Sequence, residues 1–280
     1  MHIERTAPPP IGIAHLTAIN VAPLAFVEMA AAVGYAHVGL RLHPAFAGSP
    51  FYKIPVGTSL MRSIRSRLAE TGLRVYDVEL ITIDADLDLE TLKPVLETAA
   101  ELGAQRLSVC GDDPDRGRMV ATFARLCELA ADHGMGVDLE MMPWRRVDTL
   151  EAAQHVVEAA QQANGAILID ALHLSRSGGA PADLGLIEPS CIRSAHLCDA
   201  AANRPATMEA LIQEARGGRL IPGNGDLPLH RLLAGLPDCT TLTVEVPNIG
   251  LVPEAHAWRV FQAAKRVLAA YAERVSSRAA

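Results

Sequence analysis

The chain has 280 residues, half of them hydrophobic, which is enough to bury a large core and sets aside intrinsic disorder. A formal net charge of −7, with lysine and arginine spread thinly, gives no basic footprint for DNA or RNA. No apolar run approaches the roughly 20 residues of a membrane span, and the start, MHIERTAPPP, lacks a signal-peptide apolar stretch, so the expectation is a cytoplasmic protein with neither membrane nor nucleic acid as partner.

In chain order, short β-rich runs alternate with amphipathic segments: IGIAHL from 11, HVGLRLH from 37, VYDVELITI from 75, RLSVCGD from 106, VDLEMM from 137, AILIDALH from 166, IRSAHLCD from 192 and LTVEVP from 242. Between them, Leu92, Leu96, Ala99 and Leu102 fall at helical spacing, as do Val120, Phe123, Cys127 and Ala130. Asp148 followed by Glu151 reads as a capping box opening the helix that carries Ala153, Val156 and Ala160. AHAWRVFQAAKRVLAAYAERV reads as the last helix, before a flexible tail at 275–280. Eight alternating β and α units in about 250 residues predict an α/β fold, the (β/α)8 TIM barrel, as a single domain over 1–280 with an N-terminal extension at 1–10. An open doubly wound sheet would usually place a GxGxxG turn after its first strand, and none follows IGIAHL. Cys110, Cys127, Cys191, Cys198 and Cys239 form no CxxC pair and no even set, which speaks for inert thiols over a zinc ribbon or a secreted scaffold.

Active sites of such barrels gather at the C-terminal ends of the strands. Four consecutive runs place an ionisable residue late: Glu140, Asp170, His196 and Glu245. Their apolar neighbours alternate with them, so the polar residue faces the barrel axis while the neighbours face the helices. Three converging carboxylates without a counter-charge would repel one another, and a divalent cation removes the conflict. The predicted metal ligands are therefore Glu140, Asp170, His196 and Glu245, around one divalent cation, Mn2+, Mg2+ or Co2+, with Zn2+ also compatible.

Further candidates surround that set. His173 at the exit of the sixth strand, Arg176 in the following LSRSGG loop, Arg41 and Asp199 are candidate substrate contacts; His43 shares the inward face of Arg41. His2, His37, His133, His155, His230 and His256 read as incidental. PGNGD at 222–226 fits a turn as well as a phosphate cradle.

The ordered set Glu140, Asp170 with His173 as D-x-x-H, His196 and Asp199 in HLCD, GNGDLPL, and Glu245 in VEVP resembles the xylose-isomerase-like TIM-barrel superfamily of sugar and sugar-phosphate isomerases and epimerases. In the epimerase members, the resemblance implies, counterparts of Glu140, Asp170, His196 and Glu245 hold one divalent ion, and the two glutamates double as catalytic acid and base with His173 beside them. One glutamate would remove the proton alpha to a carbonyl of a small polyhydroxy ketone, and the proton would return at the other face or the next carbon through an enediolate. The 3-dehydroshikimate dehydratases are a related branch, sharing D-x-x-H and a stretch like GNGDLPL, although this chain has His196 where that branch has a glutamine; inosose dehydratases are of the same chemical type. Against these enzymes stand a metal-free binding protein of the same fold, and the endonuclease relatives, which need a basic groove that this chain lacks. A homo-oligomer and a lid role for the 44–56 loop are further expectations.

Overall fold

The computed structural model of the protein describes residues 9–248 and 250–279. Each of the eight runs supplies one strand: β1 (Ile11–Ile13), β2 (His37–Arg41), β3 (Arg74–Ile83), β4 (Arg106–Gly111), β5 (Gly136–Glu140), β6 (Gly165–Asp170), β7 (Ile192–Leu197) and β8 (Thr241–Val244). They close in chain order into a parallel barrel, with β1 paired to both β2 and β8.

Alternation assigns the two faces. Val137, Leu139, Ile167, Ile169, Ala195 and Leu197 are buried and join Leu96, Phe123, Val156 and Val260 of the surrounding helices in one continuous core. The intervening residues turn inward, and low in the barrel they form a paired polar layer. Asp77 Oδ2 accepts from Ser108 Oγ at 2.5 Å, Asp138 Oδ2 from Ser194 Oγ at 2.7 Å, and Asp138 Oδ1 from Arg106 Nε at 2.7 Å. His37 Nε2 meets Thr243 Oγ1 at 3.1 Å. Space for that imidazole depends on Gly12, where a Cβ would come within 2.1 Å of the ring.

The helices are α1 (Pro23–Val33), α2 (Ser59–Thr71), α3 (Lys93–Glu101), α4 (Arg116–Ala131), α5 (Leu150–Ala160), α6 (Ala171–Arg176), α7 (Met208–Gln213), α8 (Leu229–Gly235) and α9 (Pro253–Ala279). Leu92 closes a 3₁₀ turn rather than the helix itself, and Pro94, which lacks an N–H, sits in the first turn of α3 where none is needed. The cap of α5 is Thr149, whose hydroxyl accepts from Ala152 N, and not Asp148 in a box with Glu151. The unit after β7 carries two helices, α7 and α8. Residues 275–279, expected as a tail, continue α9. Of the expected extension at 1–10, residues 1–8 lie outside the described residues. Among the described residues no helix is long and apolar enough to cross a membrane.

Candidate metal centre

Strand periodicity delivers the four expected ligands to one place. Glu140 ends β5, Asp170 ends β6, His196 is the penultimate residue of β7 and Glu245 follows β8. One ligand atom from each lies within 4.8 Å of the other three, and all four residues are buried. His196 Nδ1 is 3.6 Å from Glu245 Oε2, 3.8 Å from Glu140 Oε1 and 3.9 Å from Asp170 Oδ2. These separations are too long for hydrogen bonds, and Glu140 Oε1 and His196 Nδ1 are buried without any hydrogen-bond partner. A buried polar atom left unpaired costs about 1–3 kcal/mol, so two of them facing one point mark a place built for something else. Three carboxylates and an imidazole fit a divalent cation that prefers oxygen and nitrogen donors.

The field in the cluster is uneven. Burial works against the charge of Glu245, but Arg219 and His196 outweigh it and hold that carboxyl below the usual range. Asp170 is lowered in the same way, with Arg219 overcoming burial. Glu140 goes the other way: burial, then the charge of Glu245, raises it. Burial also disfavours an imidazolium at His196, yet Glu245, Glu140 and Asp170 push it up to about 10. The carboxylate excess that charges His196 is the same excess a divalent cation neutralises.

The D-x-x-H spacing has a local cause. Asp170 is the N-cap of α6, its Oδ1 accepting from His173 N at 2.8 Å, while Oδ2 takes Arg219 Nη1 at 2.5 Å. His173 is thereby fixed at the third helical position, with Nε2 3.8 Å from Glu140 Oε1 and the ring edge-on to Trp144 at 5.0 Å. Arg219 Nη2 lies 3.4 Å from His173 Nε2, and since a guanidinium only donates, that nitrogen accepts and Nδ1, buried and unpartnered, carries the proton. Burial brings the ring down to about 4, so it is neutral.

Three members of the site were missed by the sequence reading. Arg219 is fully buried and bridges Asp170 and Glu245, the latter at 3.0 Å, from a loop with no periodic pattern to betray it. Glu79 lines the same cavity and accepts from Arg41 Nη2 at 2.9 Å and from His15 N at 2.5 Å. Its alternation with Asp77 in VYDVELITI was the available clue. His15, fully buried, accepts from Arg41 N at 3.1 Å and stacks between Phe26 and Tyr52.

The cavity above the cluster measures about 200 Å³ and includes Arg41, Trp144 and His173 in its lining, with Ala45, Phe46, Ser49 and Pro50 from the 44–56 loop. Other expected contacts lie elsewhere. Arg176 is not a loop residue facing the cavity: it ends α6 and forms a two-point pair with Glu214, Nε to Oε2 and Nη2 to Oε1 at 2.8 Å each. Asp199 is likewise turned away, accepting from Gly223 N at 2.9 Å and Leu227 N at 3.0 Å, which makes PGNGD a clamped turn, with the N–H of Gly223 taken by Asp199 and that of Asp226 by Ala200 O. His43 is absent from the lining.

The sequence profile of the xylose isomerase-like TIM barrel matches residues 27–268. The chain belongs to that family. Within it, the chain is 26% identical over 153 residues to a 3-dehydroshikimate dehydratase of Pseudomonas aeruginosa, a match covering 52% of this chain and 24% of that relative, so the chain spans about a quarter of it. Two solved structures share the fold: the IolI protein with a bound zinc atom (TM-score 0.78, 16% identity, 94% of this chain and 99% of that one) and a D-allulose 3-epimerase from Methylomonas (TM-score 0.69, 18% identity, 94% and 100%).

Proposed function

We propose that this family member is a divalent-metal-dependent enzyme that abstracts the proton alpha to the carbonyl of a hydroxy-ketone, and that it acts as an isomerase or epimerase. The observation that carries the reading is the meeting of Glu140, Asp170, His196 and Glu245 within 4.8 Å, two of their buried atoms unpartnered, at the floor of a cavity. These four residues would hold the cation, whose chemistry when bound is Lewis-acid polarisation of substrate oxygens.

The chain's own groups supply the proton transfers. Glu245, held ionised by Arg219, is suited to take the proton, and Glu140, the second carboxylate of the cluster, is suited to return one. His173, neutral with an unpartnered Nδ1–H, can donate to a substrate oxygen, and Arg219 keeps Glu245 and Asp170 in place. Leu16, Leu80, Met142 and Trp144 keep the cavity wall apolar, which limits water at the reacting carbon.

A second outcome of the same proton abstraction is loss of water from the neighbouring carbon, and the dehydratase relative at 26% identity favours it. Proton exchange in deuterated water, followed by NMR with keto-sugars, inososes and 3-dehydroshikimate in the presence of Mn2+, Mg2+, Co2+ or Zn2+, tests both. Deuterium at the alpha carbon with retained carbon skeleton supports the isomerase reading, and an aromatic absorbance from 3-dehydroshikimate supports the dehydratase. A protein that retains no divalent ion, whose melting temperature none shifts, and that exchanges no proton would sink the reading.

A further inference from the structure

Four arginines line the cavity, and three of them have carboxylates of their own. Arg41 pairs with Glu79 at 2.9 Å, Arg145 with Asp112 at 2.5 Å, and Arg219 with Asp170 and Glu245. Arg216 is different. Among the described residues it has no carboxylate partner, and its guanidinium lies 4.0 Å from the centre of the Phe46 ring, which belongs to the loop after β2. An aromatic face holds a guanidinium in plane without consuming its N–H donors, so this arginine keeps all of them for a ligand.

Its neighbours have donors to spare as well. Arg145 uses Nη1 on Asp112 while its Nε is buried with no partner, and Arg41 Nε is in the same condition. Burial, followed by the charges of Arg145 and Arg41, lowers the pKa of Arg216, so the three cations feel one another. Like charges gathered at one cavity are relieved by an anion placed among them. The carboxylates of the cluster cannot serve, because Arg219 already pairs with Asp170 and Glu245 and the proposed cation would neutralise the rest.

Resting on the reading that this cavity takes a hydroxy-ketone, we propose that the substrate also carries an anionic group, which seats between Arg216 and Arg145 at the cavity mouth, with Phe46 holding the Arg216 plane. Arg216 is then a specificity residue: it selects a keto acid or a phosphorylated sugar over a neutral sugar.

The test is calorimetric binding to the metal-loaded protein, using two pairs of probes that differ in charge: shikimate with its methyl ester, and D-fructose 6-phosphate with D-fructose. Each is repeated with Arg216→Met, which keeps a flexible apolar stem over Phe46, and with Arg216→Lys. In at least one pair the anion is expected to bind about ten- to hundredfold more tightly than its neutral partner, the range of one or two charge-assisted hydrogen bonds. Arg216→Met should bring that preference to within about threefold and Arg216→Lys should keep part of it. A preference in the first pair names a carboxylate and in the second a phosphate. Absent binding, equal binding within both pairs, or a preference that survives Arg216→Met overturns the proposal. Binding needs no turnover, so charge preference without proton exchange would sink the enolisation reading alone, and exchange without charge preference would sink this one alone.

Discussion

Two polar layers lie inside the same barrel, two residues apart along β3, β5, β7 and the β8 run, and they are built on opposite plans. In the lower one Asp138 is saturated: both oxygens accept, from Arg106 and Ser194, and Asp77 takes Ser108. In the upper one Glu140 Oε1 and His196 Nδ1 have no partner at all. The same side-chain types, on the same strands, at similar burial, are thus finished below and unfinished above. A buried charge with its hydrogen bonds complete is part of the scaffold, and one left incomplete among others marks where a ligand belongs. Histidine reports the contrast most directly: burial, then the Arg74 charge, lowers His37 to about 4, while three carboxylates raise His196 to about 10 against the same burial.

The largest test of that contrast is Glu245→Gln or Glu140→Gln. Under the proposed function either should reduce enolisation by about 10³-fold, on the order of 4 kcal/mol, as measured by proton exchange, because it removes a carboxylate proposed to hold the metal and to transfer the proton. Urea denaturation of the metal-free Glu140→Gln protein should show stability unchanged or raised, since one member of a repelling set is removed. If it fell as far as a lower-layer variant does, the two layers would not differ as argued.

Arg106→Met attacks the lower layer and should cost about 3–5 kcal/mol in the same urea measurement, because it strips the counter-charge from fully buried Asp138. A loss under about 1 kcal/mol would show that Ser194 alone satisfies the carboxylate.

Acid sharpens the comparison next. His37 is held neutral, so its folded-state pKa, about 4, lies below the ordinary 6.5. The stability linked to it is fully present above pH 6.5, declines as the pH falls toward 4, and is level below that, for a total of about 3 kcal/mol. His37→Gln should flatten that part of the urea stability profile, and an unchanged slope would remove His37 from the account. The smallest effect is the cation itself. Mn2+ at a hundredfold over its dissociation constant should stabilise the wild type by about 2.7 kcal/mol, seen as a rise in melting temperature that chelator reverses and Glu140→Gln abolishes.

The strands were legible because parallel strands covered by helices read as short apolar runs, and the four convergent residues because each interrupts such a run from its inward side. What could not be read depends on partners far away in the chain. Arg176 looked like a free loop arginine, but its carboxylate partner Glu214 lies 38 residues on. Arg219 reaches Asp170 across 49 residues from a stretch with no period. Thr149 displaced Asp148 by a single position, a boundary matter that local pattern does not decide.

The turn that Asp199 clamps has a consequence for which substitutions the chain can accept. Gly225 packs where a Cβ would come within 2.4 Å of Ala200 O, and the backbone of Gly223 and Leu227 is tied to Asp199, so this segment answers to the geometry of its own bend and lies outside the cavity lining. A side chain at Gly225 would therefore strain the bend, whereas Phe46, Arg145 and Arg216 line the cavity and take no part in the hydrogen bonds that hold the turn.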